Sequence, residues 1–258
     1  MIAGMSREEL LHEALVRSRE SFVPFPGLEL RRRAGWVQLV TPLFRSGGFN
    51  EVALAQFEAD EADAVIDATI AEYDTLGIRF RWTVGPDSRP ADLGARLARR
   101  GLVGERGVMM AAAVADVPVD IGPGLTVERV EAAQLERFAA VSAEGWGCDP
   151  EPLRVYHRSV LADPDGRSHS FLAYVDGAPA GVANYVAHAR SAFFIGGVVL
   201  PAFRGRGVYK ALLAARLRHA AARGIAVVMT HARASTSAPI LARLGFHALA
   251  ELESYSRP

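Results

Sequence analysis

The stretch Val198-Val199-Leu200-Pro201-Ala202-Phe203-Arg204-Gly205-Arg206-Gly207-Val208-Tyr209-Lys210 leads from a β-branched apolar run through a proline and two glycines into a helical pattern. Gly205 and Gly207 let backbone amides approach a bulky anion with no side chain in the way. A helix starting behind them adds about half a positive charge at its N-terminus. Arg204, Arg206 and Lys210 flank the turn, so the junction reads as a phosphate cradle. Two common phosphate loops are excluded. No GxxxxGK[ST] occurs, and position 210 is Lys where a dinucleotide fingerprint needs Gly or Ala.

On either side of this junction the periodicities alternate. Upstream, Leu125 to Val130 reads as a strand, Ala132 to Glu144 and Glu151 to Ala162 as helices, and Ser170 to Val175 as a strand closed by the turn Asp176-Gly177. Strands follow at Gly181 to Ala187 and Ser191 to Leu200, giving three antiparallel strands before the basic segment. Gly205 to Arg223 places Val208, Leu212, Leu213, Ala215 and Leu217 at helical spacing. Ala226 to Thr230 then predicts a strand, Thr236 to Leu244 a short helix, and Phe246 to Tyr255 a closing strand.

Arg204-Gly205-Arg206-Gly207-Val208-Tyr209 resembles the signature of the GNAT acetyltransferase superfamily: Arg or Gln, two residues, Gly, one residue, then Gly or Ala. Tyr209 stands where the pattern has the small residue. Ile240-Leu241-Ala242-Arg243-Leu244-Gly245-Phe246 is similar to the family's helix-to-strand segment ending in Gly-Phe, and the order of elements over some 135 residues agrees. The resemblance implies an α+β fold, a mixed and mostly antiparallel sheet flanked by helices. It further implies two strands that splay apart to admit the pantetheine arm of acetyl-coenzyme A as an added strand. Carried onto this chain, Gly197, Val198 and Val199 would meet the pantetheine and acyl end, with the Val199 amide nearest the thioester carbonyl. Arg204, Gly205, Arg206, Gly207, Val208, Tyr209 and Lys210 would receive the pyrophosphate. The implied activity is transfer of an acetyl group from acetyl-coenzyme A to a primary amine of a small molecule or, second to that, a protein N-terminus.

Transfer to an amine needs a neutral nucleophile, a polarised carbonyl and a proton for the departing thiolate. Leu241 stands where many relatives have a tyrosine acid, and Met229 where some have a glutamate base. His231, just past the fifth strand of this half, and Tyr255, in the last strand, are the catalytic candidates, with Glu144 a third. Direct transfer with water relaying the proton is the other route. A non-catalytic acyl-coenzyme A sensor is the competing class. The remaining histidines show no paired ligand spacing, so no metal is expected. Phe193, Phe194 and Trp146 read as core or pocket lining.

The 258 residues carry 29 basic and 29 acidic side chains, a net charge of zero, which disfavours nucleic acid and anionic membrane partners. The balance is unequal along the chain. Residues 1–122 hold 14 Arg against 18 Asp and Glu, net −4, and residues 123–258 hold 15 basic against 11 acidic, net +4. From Pro201 to Gly245 there are eight cations and no carboxylate. The punctuated run VPVDIGPGL, residues 117–125, predicts a joint, hence two tandem GNAT-like domains over 1–122 and 123–258. A single cysteine, Cys148, precludes an intramolecular disulfide. The opening residues lack a secretory pattern, which with the composition predicts a cytoplasmic protein of a GC-rich bacterium, monomer or homodimer.

The first half reads as helix (Arg7 to Ser18), strand (Gly35 to Thr41), strand (Asn50 to Phe57), helix (Asp60 to Asp74), strand (Arg79 to Val84), helix (Ala91 to Arg100) and strand (Gly107 to Ala115). Its Pro90 to Leu102 segment echoes Pro239 to Phe246, as a duplication would. Where the cradle should lie it has Phe57-Glu58-Ala59-Asp60-Glu61-Ala62-Asp63, with four carboxylates and no glycine. Phosphate would be repelled there, so a degenerate copy and one coenzyme per chain are expected.

Overall fold

The computed structural model describes residues 1–20, 24–163 and 166–258. Two compact units divide the chain. The first comprises Met1–Pro26, Met110–His231 and Pro239–Leu249, and the second Gly27–Met109, Ala232–Ala238 and Ala250–Pro258. A cut at 122–123 therefore falls inside the first unit, and the units interleave instead of following one another.

In the first unit, β6 (Leu125–Arg129), β7 (Ser168–Val175), β8 (Ala178–Ala187) and β9 (Ser191–Val199) form successive antiparallel pairs. Asp176 and Gly177, both at positive φ, make the two-residue turn between β7 and β8. β10 (Val227–Arg233) joins β9 in parallel. Helices α5 (Leu135–Trp146) and α7 (Val208–Ala222) pack on the sheet. The buried Phe138 and Val141 of α5 meet Leu172, Tyr174, Val182 and Leu200 in one apolar cluster. α7 buries Val208, Leu212, Leu213 and Leu217 of the expected set while Ala215 is half-buried, and Ala211, Ala214, Arg216 and Ala220 are buried as well, so burial runs around the helix instead of along one stripe. α6 (Pro150–Leu161) starts on an Asp149 cap, with Pro150 in its first turn.

The amino-terminal helical segment also belongs to this unit: α1 (Arg7–His12), a π-turn (Glu13–Arg17) and α2 (Ser18–Glu20). Ser6 and Glu9 close a capping box at its start. Arg190 pairs with Glu9 at 2.7 Å and Ser191 donates to Glu13 at 2.6 Å, which ties the segment to the β8–β9 turn.

The second unit repeats the mixture of pairings. β1 (Glu29–Arg33), β2 (Trp36–Val40) and β3 (Glu51–Ala53) are antiparallel neighbours, β3 pairs with β4 (Arg81–Val84) in parallel, and residues of β11 (His247–Ser256) pair antiparallel with β4. The closing strand expected at Phe246 to Tyr255 is thus a partner of β4: Glu253 lies opposite Val84 and Tyr255 opposite Trp82. α3 (Ala62–Leu76) and α4 (Leu93–Arg99) supply Ile66, Ile70, Tyr73, Leu93 and Leu97 to a core that also holds Trp82 and Tyr255. The strand expected over Asn50 to Phe57 is only three residues long, because the chain turns at Leu54, whose φ is +56°. No helix among the described residues is long and apolar enough to cross a membrane.

Candidate functional site

β9 and β10 pair only from Ser191 opposite Val227 to Phe194 opposite Thr230, although β9 continues to Val199. Thr230 Oγ1 donates to the Phe194 carbonyl at 2.9 Å across this last rung. Beyond it the strands part, leaving a slot along Ile195 to Val199.

The β8 ladder determines which groups face the slot. Leu200 N–H donates to the Ala180 carbonyl at 2.9 Å, and Val199 stands opposite Gly181. In an antiparallel ladder hydrogen-bonded pairs alternate with pairs whose polar groups point outward. Val199 is of the second kind, so its N–H and C=O turn away from β8 toward the side that β10 has left.

At the end of β9 a single 3₁₀ turn, Pro201–Phe203, delivers the chain to Gly205 at φ +75° and Gly207 at φ +83°. Gly207 is the residue from which α7 starts. Ala211 N–H donates to the Gly207 carbonyl, and among the described residues no acceptor takes the N–H of residues 205–210. Such unpaired amides at a helix N-terminus form an electropositive concavity. Arg206 extends to Asp176 at 2.8 Å, which fixes one cation on the hairpin turn beside it. Burial pushes the Tyr209 hydroxyl pKa upward. Tyr209 is the departure from the expected small residue, and its ring packs beside Gly197. The residues from Gly197 to Lys210 named from the sequence thus form one continuous strand edge, turn and helix start.

The proposed proton carriers are placed differently. His231 belongs to the first unit and Tyr255 to the second. His231 Nε2 lies 3.0 Å from the Ala14 carbonyl, an acceptor, so Nε2 carries the hydrogen; Nδ1 then accepts from Arg19 Nη2 at 3.0 Å. The ring also stands edge-on to Phe193. Tyr255 is buried in the second unit's core and donates to Glu253, and burial, then that carboxylate, push its pKa up to about 12. Glu144 is exposed on α5. Met229 and Leu241, where relatives' base and acid would stand, are both buried.

Phe193 and Phe194 are buried as expected of core residues, whereas Trp146 is 48% exposed. It follows Gly145, whose backbone lies against the Val198 side chain. α5 therefore ends at the slot with its indole in the open. Among the described residues no group of three or more His, Cys, Asp or Glu could hold a metal ion. The fold does bring His169 and His219, 50 positions apart in sequence, to a ring separation of 4.6 Å, with Tyr185 bonded to His219. Nothing in the sequence spacing announces that pair. A separate cavity of about 510 Å³, lined by Glu13, Arg17, Arg167, Arg190 and Arg223 among others, includes none of residues 197–210.

Residues 132–246 match the Acetyltransferase (GNAT) family. A GCN5-related N-acetyltransferase from Kribbella flavida is similar in structure over 99% of this chain and 96% of its own, at TM-score 0.65 and 17% identity. A GCN5-related N-acetyltransferase from Sphaerobacter thermophilus matches over 90% of this chain and 76% of its own, at TM-score 0.60 and 19% identity. A tandem GNAT protein from the clavulanic acid biosynthesis pathway matches over 96% and 87%, at TM-score 0.60 and 16% identity. No curated protein matches the sequence.

Proposed function

We propose, from the match of residues 132–246 to the Acetyltransferase (GNAT) family and the geometry of the slot and glycine turn, that this protein transfers an acetyl group from acetyl-coenzyme A to a primary amine of a small molecule. The observation that carries the reading is the conjunction, on one strand and the helix after it, of a parted parallel pair and a glycine turn with unpaired amides. The residues fit the coenzyme: an extended amide-bearing arm suits the free edge of Ile195 to Val199, and a diphosphate suits the amides of residues 205–210. The coenzyme would supply an activated acyl thioester. The Val199 N–H is directed to polarise a carbonyl in the slot. Gly205, Gly207 and the start of α7 hold negative charge, and the Val198 side chain lies against Gly145 at the end of α5.

In this reading water takes the proton from the attacking amine and relays one to the departing thiolate, so that the products are the amide and free coenzyme A thiol. His231, with a donor on one nitrogen and an acceptor on the other side of its ring, braces the amino-terminal helix against β10. Tyr255, at a raised pKa beside Glu253, stays protonated through neutral pH. Catalysis then consists chiefly of positioning two reactants, which alone is worth several orders of magnitude.

The second unit serves as a degenerate copy without coenzyme. Its parallel pair β3 and β4 also ends early, but the space beyond is bridged. Arg89 N–H donates to the Ala55 carbonyl at 2.9 Å, and Phe57 N–H donates to the Arg89 carbonyl at 3.2 Å. Ahead of α3, Glu61 and Ala62 both donate to the Glu58 carbonyl, so those amides are spent.

A non-catalytic acyl-coenzyme A sensor is the second reading, favoured by the buried Met229 and Leu241 where proton carriers would stand. Release of free thiol from acetyl-coenzyme A in the presence of a panel of amines separates the two. Amine-dependent release supports transfer, and coenzyme binding without release supports the sensor.

A further inference from the structure

Within the eight-cation segment, Arg216 does not lie on a solvated helix face. It is only 3% exposed, two turns into α7. Nε donates to the Leu212 carbonyl at 3.2 Å, Nη1 donates to the Asn184 carbonyl at 3.3 Å, and the guanidinium sits 4.4 Å from the centroid of the Phe194 ring. Among the described residues it has no carboxylate partner, and burial pushes its pKa down to about 10. A buried cation without a counter-ion is costly, and an apolar side chain of like volume would fill the same space at less cost. What the guanidinium supplies, at one place in the sheet, is a donor to the Asn184 carbonyl and a positive charge over the Phe194 ring.

That place is the irregularity between β8 and β9. The register steps from Val182 opposite Val198 to Asn184 opposite Ile195, so β9 carries one residue more than β8, and Gly196 there takes φ +65°. Such a bulge disrupts the ladder locally and bends its strand. Asn184, whose carbonyl Arg216 reaches, is the first β8 residue paired again on the far side of the bulge. Phe194, whose ring the guanidinium covers, is the last β9 residue paired with β10. Arg216 therefore engages neighbouring residues of β8 and β9 on one flank of the bulge, Asn184 opposite Ile195 and Phe194 beside it, at the point where β9 leaves its parallel neighbour.

We propose that Arg216 is a positioning residue that braces this bulge, keeping Gly197 to Val199 bent away from β10 and the slot open to the coenzyme arm. The role rests on the acyl-coenzyme A reading above and acts through the strand; Arg216 touches no reacting atom in it.

The test uses the full chain with Arg216→Met, Arg216→Lys and Arg216→Ala. Coenzyme A affinity is measured by calorimetry, thermal unfolding is followed beside it, and steady-state kinetics in acetyl-coenzyme A are taken with an amine that the wild type turns over. Arg216→Met is expected to stay folded yet weaken coenzyme binding at least tenfold, with KM rising far more than kcat falls and Arg216→Lys intermediate. Affinity lost in Arg216→Ala is expected to return in part with millimolar methylguanidinium, which a purely structural defect would not show. Variants that fold and bind coenzyme A within twofold of wild type overturn the brace, as does Arg216→Ala with weakened binding and no rescue. Should all three fail to fold, Phe194→Leu decides: a severalfold loss of affinity in a folded protein supports the brace, and unchanged affinity overturns it. Wild type that binds no coenzyme A removes the underlying reading and this role together, whereas wild type that binds and is matched by its variants removes the role alone.

Discussion

Replacing Gly207 by alanine probes the amide cradle without removing any side chain. The added Cβ has room, its nearest neighbour being Leu125 Cδ1 at 3.4 Å, so the penalty is conformational and not steric. Holding a residue with a Cβ at φ +83° costs roughly 1–2 kcal/mol. The strain is relieved by rotating φ to negative values, which turns the peptide between Arg206 and Gly207 and takes its N–H out of the concavity. One hydrogen bond to a charged group is worth about 1.5–3 kcal/mol, which converts to a loss of coenzyme A affinity of roughly 10- to 100-fold. Calorimetric titration measures that loss, and thermal unfolding beside it should show a Tm fall of roughly 2–4 °C per kcal/mol of strain. Gly224, just past the end of α7, provides the control. Its φ is +74° and no atom lies within 4 Å of an added Cβ, so Gly224→Ala carries the same strain with coenzyme affinity untouched. Gly207→Ala that loses stability like Gly224→Ala but binds coenzyme A within twofold of wild type would refute the cradle.

Calorimetry on the wild type is expected to give one coenzyme per chain, and Glu58→Ala and Asp60→Ala should leave binding unchanged; two equivalent sites would contradict the bridging of the second unit. His231→Ala should lower Tm through loss of its bonds to Ala14 and Arg19 while the pH profile of turnover keeps its shape; an acid limb that disappears in the variant would make His231 the base. Burial holds His169 down to about 4 and His157 down to about 3 from an ordinary 6.5. The unfolded chain therefore binds protons first as pH falls, so stability is full above about pH 6.5. It declines toward pH 4 by up to about 1.4 kcal/mol per pH unit for each ring. A Tm that is flat from pH 7 to 4.5 would contradict this, and His157→Leu should flatten part of the slope.

The carboxy-terminal elements were legible because their periods are clean. Val208, Leu212 and Leu217 are apolar residues of α7 that are all buried, and Asp176-Gly177 marks a hairpin that forms where expected. β1 was not legible: Arg31, Arg32 and Arg33 interrupt any apolar alternation, and the strand is held at its ladder with β2 while Arg31 pairs with Glu72 of α3. Domain limits were hidden for a different reason. Pairing of β11 with β4, and membership of residues 1–26 in the first unit, are long-range choices that no local pattern encodes. For the site, glycines and cations announced the cradle. Hydrogen bonds that engage both His231 nitrogens arise from residues more than 200 positions away, and no spacing rule reaches that far. Arg216 was visible only as one cation of eight; its burial beneath Phe194 is a property of the packed sheet.

The central claim is that main-chain N–H groups from Gly205 to Lys210 hold a diphosphate. Backbone amide NMR of the labelled chain during titration with coenzyme A reads those groups one by one. Saturable shifts concentrated at residues 205–210 and along Ile195 to Val199, with Glu58 to Ala62 unmoved, are predicted. Coenzyme A binding that leaves residues 205–210 unshifted would contradict the account.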